Sequence, residues 1–334
     1  MLRHIIIGIL GFICVGGLVL TGMIVFGGPH RPPPNAKLDA ADARIGASIA
    51  DLPPRESYTA RDGAALSFRR YPGAPGGGVA VLVHGSSGTN SATHVLAKSL
   101  AGIGVTVFSI DVRGHGASGP HGDIAYATQL DDDMADLARK LDKDFPGERR
   151  LLIGHSSGGG LVLRIAGSKR ACAFDGFLVL SPYLNYASNT NRPDAGWANG
   201  GVARIAALTT LNRNGINAFD NLPALDFAIP ADTPNRTSWY SWRLMRNFGL
   251  DMMKWKDEIR AIDRPTRVMA GANDELFYAD RFAPAFAALQ PRIAVTIIPG
   301  IDHMGMVIDP RATPEVTRAA KEMLAAPSPG RCAS

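Results

Sequence analysis

Short aliphatic runs recur at intervals through most of the chain. Each run is apolar nearly throughout and is followed by turn residues. Strands covered on both faces of a sheet have this composition, whereas half-exposed strands alternate apolar and polar residues. The pattern therefore predicts buried strands over 79–85, 105–114, 150–156, 176–182, 266–274 and 294–300.

Helical patterns separate most of these runs, near 91–102, 124–145, 157–168, 278–289 and 313–325. Strands that alternate with helices indicate an α/β fold with a mostly parallel, doubly wound sheet. Ahead of the first run, "SYTARDGAALSFRRYP" predicts an antiparallel hairpin that turns at Asp62 and Gly63. This hairpin would extend one edge of the sheet.

One long interval, at about 183–257, interrupts the alternation. It holds all four tryptophans together with Asn, Pro and Met, and it has no strand pattern. An excursion of this length from a compact domain is usually a lid or cap. We expect a small helical cap over the carboxyl ends of the strands.

The N-terminal region contains an uncharged apolar stretch, Ile5 to Phe26. As a helix it would be about 33 Å long, which is enough to cross a hydrocarbon layer of about 30 Å. It is longer than the apolar region of most signal peptides, and no clear cleavage site follows it. We expect residues 1–28 to form an uncleaved membrane anchor, with the rest of the chain exported; the alternative is a cleaved signal and a secreted protein.

The remaining boundaries follow from composition. A stiff, Pro-rich linker is expected over 29–54, because it opens with "GGPHRPPPN". The α/β domain with its cap insertion then covers 55–326, and a short tail covers 327–334.

Composition, charge and cysteine content exclude few classes of function. The formal net charge is +5, and the basic residues form no stripe, so nothing favours nucleic-acid binding. No C-x-x-C, H-E-x-x-H or G-x-x-x-x-G-K-[ST] motif is present, so no metal or nucleotide cofactor is expected.

In an oxidising compartment Cys172 and Cys332 would either pair or stay separate thiols. The oligomeric state is left open.

A serine between two glycines stands where a predicted strand meets a predicted helix. "GHSSG", residues 154–158, is the only full G-x-S-x-G motif in the chain. In this setting the turn forces the serine into a cramped conformation, and its hydroxyl projects from the top of the sheet beside a helix N-terminus. Ser156 is therefore the predicted nucleophile, and a Gly/Ser-rich turn without chemistry is the alternative.

A serine hydroxyl needs a base, and the base needs a carboxylate that orients it. His303 is the only histidine after Ser156, and it follows the last predicted strand. It is the predicted base, because the nucleophile, acid and base follow one another in that order in this type of site. Asp274 directly follows a strand and is the preferred acid. The other acids considered are Glu275, Asp280 and Asp302.

Two backbone N–H groups are expected to stabilise the oxyanion. The residue after the nucleophile, Ser157, would supply one of them. The other would come from Ser86 in the "HGSSG" loop after the strand at 79–85, with His84 bracing that loop.

Five motifs in order, "LVHGSSG", "DVRGHGASG", "GHSSGG", "AGANDELF" and "IIPGIDHMG", resemble the α/β-hydrolase superfamily. The "D-x-R-G-H-G-x-S" pattern is similar in particular to the monoacylglycerol lipase, lysophospholipase and serine aminopeptidase S33 group. The resemblance covers roughly 55–325 without the cap. It implies an α/β-hydrolase fold, the triad Ser156, Asp274 and His303, and the oxyanion donors Ser86 and Ser157.

The same resemblance places "DVRGHGAS" beside the site, with Asp111, Arg113 and His115 in structural roles. The cap and the apolar N-terminal stretch lie outside the shared pattern, so the resemblance implies no particular substrate.

These observations predict a serine hydrolase of carboxylic esters. The Trp-bearing cap and the expected membrane anchor favour a lipid-like acyl substrate such as a monoacylglycerol or lysophospholipid. One alternative is an aminopeptidase, in which cap carboxylates hold the substrate's amino group; the candidates are Asp194, Asp220, Asp226 and Asp232. A second alternative is a binding module that has no catalytic activity.

Overall fold

The computed structural model describes residues 1–193, 195–230 and 233–330, apart from the side chains of residues 5, 6, 8–10, 12, 13, 37 and 38. In that part of the chain the strands are β1 (Arg55–Thr59), β2 (Ala65–Tyr71), β3 (Val79–Val83), β4 (Thr106–Ile110), β5 (Arg150–His155), β6 (Gly176–Leu180), β7 (Ala198–Gly200), β8 (Pro223–Phe227), β9 (Trp239–Ser241), β10 (Thr266–Gly271) and β11 (Ala294–Ile298). The helices are α1 (Leu2–Phe26), α2 (Ala36–Ser48), α3 (His94–Gly102), α4 (Gln129–Asp144), α5 (Ser157–Ala166), α6 (Val202–Arg213), α7 (Trp242–Asn247), α8 (Trp255–Arg260), α9 (Phe282–Leu289), α10 (Gly305–Ile308) and α11 (Thr313–Ala325).

Eight strands form the central sheet in the order β1-β2-β4-β3-β5-β6-β10-β11. The β1–β2 and β2–β4 pairs are antiparallel and the other pairs are parallel. The mostly parallel α/β sheet and its edge hairpin, both predicted from the sequence, are confirmed. Strand β11 is more exposed than expected, because it lies at the sheet edge and has only one neighbouring strand.

The sheet is covered on both faces, and successive residues of its central strands enter different apolar clusters. Val79, Val81 and Val83 of β3 pack on the side of α4, α5, α8 and α9, whereas Ala80 and Leu82 pack on the side of α3, α10 and α11. A strand with one face in water would need a polar residue at every second position. The continuous apolar runs in the sequence follow from this double burial.

The cap over the carboxyl ends of the strands contains a sheet as well as helices. Strands β7, β8 and β9 pair antiparallel beside α6 and α7. The prediction of a helical cap is therefore wrong in this respect. These strands have 3, 5 and 3 residues, which is too short for a period of two to be recognised in the sequence.

The N-terminal region differs from the expected anchor and free linker. No helix among the described residues has both the length and the apolar character that crossing a bilayer requires. The span predicted over Ile5 to Phe26, some of whose side chains lie outside the description, is therefore not supported. The cellular location stays a prediction from the sequence.

The predicted linker packs against the rest of the protein. The His30 backbone N–H donates to the Asn199 side chain at 3.1 Å, and the Asn35 side chain donates to the carbonyl of Ala195 at 3.0 Å. Within the linker, α2 is a helix of 13 residues that the sequence analysis did not predict. Cys332 lies outside the described residues, so the choice between a bridge to Cys172 and two separate thiols stays as the sequence leaves it.

Candidate active site

Ser156 occupies the turn between β5 and α5 in a backbone conformation that is unusual for serine. Its φ is 55° and its ψ is −122°, in a region that residues with a side chain rarely adopt. The turn is held in place from β6, since the Ser156 backbone N–H donates to the carbonyl of Leu180 at 3.0 Å and the Tyr183 N–H donates to the Ser156 carbonyl at 3.0 Å. The hydroxyl group is thus presented at a defined place above the sheet.

The flanking glycines are required by close packing. A Cβ atom at Gly158 would collide with the backbone carbonyl of His84, and one at Gly154 would collide with the carbonyl of Gly158. Any side chain at these positions would force β3, β5 and α5 apart. The glycines therefore allow the tight strand-to-helix turn on which the Ser156 conformation depends.

Asp274 and His303 form a buried pair at the ends of neighbouring strands. The His303 Nδ1–H donates to Asp274 Oδ2 at 2.9 Å, and the two side chains are 3% and 0% exposed. The other carboxylate oxygen of Asp274 accepts the backbone N–H groups of Leu276 and Phe277, both at 2.9 Å. The carboxylate is thereby fixed, and the imidazole has one defined tautomer and orientation.

The charges around this pair favour the ion pair over its neutral form. Burial alone would lower the pKa of His303, but the charge and hydrogen bond of Asp274, helped by Glu275 and Asp302, raise that pKa above its ordinary value of 6.5. Burial would likewise raise the pKa of Asp274, and the neighbouring His303 outweighs burial and lowers it. The site is built to stabilise a protonated His303 while Asp274 stays ionised.

Ser156 and His303 line the same cavity, together with Ser86 and His155. Among the hydrogen bonds of the described residues, none joins the Ser156 hydroxyl to the His303 ring. A bond of this kind commonly tightens only in the substrate complex. The structure thus brings the predicted nucleophile, base and acid to one site.

Of the two predicted oxyanion donors, Ser86 lines this cavity and Ser157 directly follows Ser156, which also lines it. Ser157 is the first residue of α5, where the backbone N–H has no partner inside the helix. The Ser86 N–H has no hydrogen bond to any residue that the structure describes. The backbone N–H of the next residue, Ser87, is already engaged, because it donates to the hydroxyl of Tyr240 at 2.8 Å.

His84 braces the loop that carries Ser86. Its Nδ1 lies 2.7 Å from the carbonyl oxygen of Gly85, and its Nε2 accepts the Val112 backbone N–H at 3.1 Å. Burial lowers the pKa of His84, so the ring stays neutral and holds the loop through these two bonds.

The "DVRGHGAS" segment is held by interactions away from the cavity. Asp111 accepts the backbone N–H of Asn90 at 2.7 Å, and Arg113 forms an ion pair with Asp133 at 2.7 Å. His115 lies 2.5 Å from the Tyr240 hydroxyl. Through these contacts the segment supports the neighbouring loops, which is a structural role.

His155, the variable residue of the G-x-S-x-G motif, supports His303. Its Nε2 lies 3.0 Å from the His303 carbonyl oxygen, and the two ring centroids are 4.5 Å apart. Burial, with the nearby His303, lowers the pKa of His155 to about 3, so its ring is neutral and donates to that carbonyl. The sequence analysis missed this role, because the contact spans 148 residues of chain.

Three cap residues act on the loop after β3, and no sequence motif identifies them. The Trp197 ring N–H donates to the Ser86 hydroxyl at 3.0 Å, and the Arg236 side chain donates to the Ser87 carbonyl at 2.7 Å. With the Tyr240 contact to the Ser87 N–H, the cap holds the Ser86 side chain and both backbone polar groups of Ser87, the residue after the predicted oxyanion donor.

The other acids considered occupy different positions. Glu275 accepts the His303 backbone N–H at 2.9 Å, and Asp302 pairs with Arg44 at 2.6 Å. Asp280 lies in a short 3₁₀ turn ahead of α9. Among the described residues, the His303 ring thus bonds only to Asp274.

Of the carboxylates considered for an aminopeptidase, Asp220 and Asp226 do not line the cavity. Asp220 is hydrogen-bonded to Asn212, and Asp226 is in β8, away from Ser156. Asp194 and Asp232 lie outside the described residues. In the described part of the chain, no group of three or more His, Cys, Asp or Glu is arranged to hold a metal ion.

A mostly parallel sheet with this strand-to-helix elbow defines an α/β-hydrolase. The profile of the family described as "Serine aminopeptidase, S33" matches residues 75–310. The chain belongs to this family.

The curated relatives are similar to this chain over only part of their own length. Monoacylglycerol lipase of Mycolicibacterium smegmatis is 29% identical over 109 residues, which are 32% of this chain and 39% of that protein. Human monoglyceride lipase is 31% identical over 104 residues, or 30% of this chain and 33% of that protein. The matched stretches thus span less than two fifths of these relatives.

Solved structures show the same fold over a larger share of the chain. A soluble variant of the monoglyceride lipase from Saccharomyces cerevisiae has a TM-score of 0.59 at 18% identity, covering 83% of this chain and 96% of that one. The monoacylglycerol lipase of Paleococcus ferrophilus has a TM-score of 0.54 at 21% identity, covering 78% and 98%.

Proposed function

We propose that the protein is a serine hydrolase that cleaves carboxylic esters of lipid-like acyl groups, such as monoacylglycerols or lysophospholipids. The observation that carries the proposal is the buried Asp274–His303 hydrogen bond at the cavity that also exposes Ser156. A nucleophile, a base and an orienting acid are the groups that acyl transfer requires.

The reaction would proceed through an acyl-enzyme. The Ser156 oxygen attacks the ester carbonyl carbon while His303 Nε2 takes the hydroxyl proton, and Asp274 stabilises the imidazolium that results. The oxyanion accepts hydrogen bonds from the backbone N–H groups of Ser86 and Ser157. His303 then gives its proton to the departing alcohol, and a water activated in the same way releases the acid.

The preference for a lipid-like ester has two supports. The cavity includes apolar side chains such as Ile45, Leu276 and Met304. Among the curated relatives, the proteins from M. smegmatis and human are named as lipases of acylglycerols. An apolar wall favours an acyl chain over a charged substrate.

Aminopeptidase activity, which the family description names, is the second candidate. It would need a free carboxylate near Ser156 for the amino group of a substrate. Asp42 is the only acidic residue among the described residues that line the cavity, and it pairs with Arg236 at 2.7 Å. Because this ion pair neutralises Asp42, esters are favoured over peptides.

A substrate panel tests this choice. We expect p-nitrophenyl esters to be cleaved with a kcat/KM at least about a hundredfold above that of aminoacyl p-nitroanilides. Esters with acyl groups of two to sixteen carbons would define the chain-length preference. Faster cleavage of the anilides would support the aminopeptidase instead.

The pH dependence follows from the His303 environment. The base must be neutral to accept a proton, so kcat/KM should rise with pH as His303 loses its proton, with a midpoint above 6.5. In Glu275→Gln the midpoint should move to lower pH, because a negative charge that raises the pKa of His303 is removed. A profile measured from pH 5 to 9 on both proteins checks this; equal midpoints would contradict the assigned base.

A further inference from the structure

Helix α2, ahead of the family match, forms one wall of the cavity at Ser156. Ala41, Asp42 and Ile45 of this helix line the same cavity as Ser156 and His303. The family profile starts at residue 75, so α2 is an addition to the part of the chain that the profile describes.

Among the described side chains of α2, the charged contacts lie mostly at the surface. Arg44 pairs with Asp302 at 2.6 Å, with the two side chains 41% and 39% exposed, and it also lies 4.0 Å from Asp309. Asp42 pairs with Arg236 at 2.7 Å. Ala41 is 5% exposed, and Ile45 packs at the border of an apolar cluster beneath the helix. Exposed ion pairs contribute little to stability, so this attachment is weak compared with that of a core helix.

The space that remains under α2 is small. The cavity has a volume of about 70 Å³, whereas pockets for drug-sized ligands measure roughly 300 Å³ or more. A short acyl group fits such a space, but a long acyl chain does not. A long-chain ester therefore needs more space than this cavity provides, and α2 forms one of the cavity's walls.

We propose that α2 is a displaceable strap that determines which esters reach Ser156. Docked, it restricts the site to short acyl groups, and its displacement opens the apolar surface beneath Ala41 and Ile45 to long chains. This inference rests on the proposed esterase function and adds to it the element that sets acyl length.

Two variants that weaken the strap in different ways test the inference. Arg44→Ala removes the ion pairs with Asp302 and Asp309, and Ile45→Ala removes apolar packing without a change of charge. The readout is the ratio of kcat/KM for p-nitrophenyl palmitate to that for p-nitrophenyl acetate, in the full-length protein. Because both esters use the same base, any change in the basicity of His303 cancels in this ratio.

We expect the ratio to rise roughly threefold to tenfold in each variant, because the loss of one weak attachment changes the equilibrium between docked and displaced α2 by about that factor. The matched control is Arg318→Ala, which removes exposed ion pairs with Glu315 and Glu322 on α11. Hydrogen exchange over residues 36–48 should become faster in Arg44→Ala and Ile45→Ala, and it should not change in Arg318→Ala.

The outcomes separate the two proposals. An unchanged ratio in Arg44→Ala and Ile45→Ala, or an equal rise in Arg318→Ala, overturns the strap while the esterase function stands. If no ester is cleaved and a fluorophosphonate does not label Ser156, the proposed function fails, and the strap fails with it.

Discussion

Replacement of Ser156 by alanine is expected to reduce ester turnover by about 10⁵- to 10⁶-fold and to abolish labelling by a fluorophosphonate. The substitution removes the oxygen that forms the acyl bond, and no other hydroxyl takes its place in the strained turn at φ 55°. The kcat for p-nitrophenyl butyrate and gel-based labelling measure the two effects. Since the oxyanion donors and the binding surface remain, a small residual rate above that in water is expected.

The neighbouring serine provides the matched control. Ser157→Ala keeps the backbone N–H that is assigned to the oxyanion, so its loss should stay within about tenfold, compared with the 10²- to 10³-fold that loss of an oxyanion donor typically costs. Labelling that persists in Ser156→Ala, or disappears only in Ser157→Ala, would show that the nucleophile is misassigned.

His303→Ala is expected to lower turnover at least about a thousandfold. Without the imidazole, the Ser156 hydroxyl has no acceptor for its proton, and the Asp274 carboxylate is left buried at 1% exposure without its ionic partner. The measurement is kcat across pH 6 to 9, with circular dichroism to show that the variant is folded.

An exposed histidine away from the cavity is the control for this variant. His121 bonds only to the Gly116 carbonyl, at 2.8 Å, among the described residues, so His121→Ala should keep activity within about twofold. A mild defect in His303→Ala would contradict its assignment as the base, and His155, the other histidine at the cavity, would then need to be tested.

Much of the fold could be predicted because its signals are local. The strand at 79–83 appears as five consecutive apolar residues, and the turn at Ser156 as a motif of five residues. The same is true of the hairpin at Asp62 and Gly63. Burial on both faces, a strand-to-helix turn and a two-strand turn each impose a requirement within a few neighbouring residues.

The cap and the N-terminal region could not be predicted in the same way. Strands β7 to β9 are stabilised by pairing with one another and not by a pattern within each strand. The sequence of helix α2 consists mainly of polar and small residues. Its position beside the Ser156 cavity comes from contacts to Arg236 and Asp302, which lie about 190 and 260 residues further along the chain. No local pattern encodes partners at such distances.

By itself, the sequence determined the α/β sheet, the order of its strands and helices along the chain, and the serine, aspartate and histidine proposed for catalysis, because residue type and spacing carry those requirements. Only the tertiary structure decided that His155 supports the His303 backbone, that Trp197, Tyr240 and Arg236 hold the loop after β3, and that α2 lines the cavity. These contacts join segments that are distant in the chain, and their energies depend on distances and burial that exist only after the chain has folded.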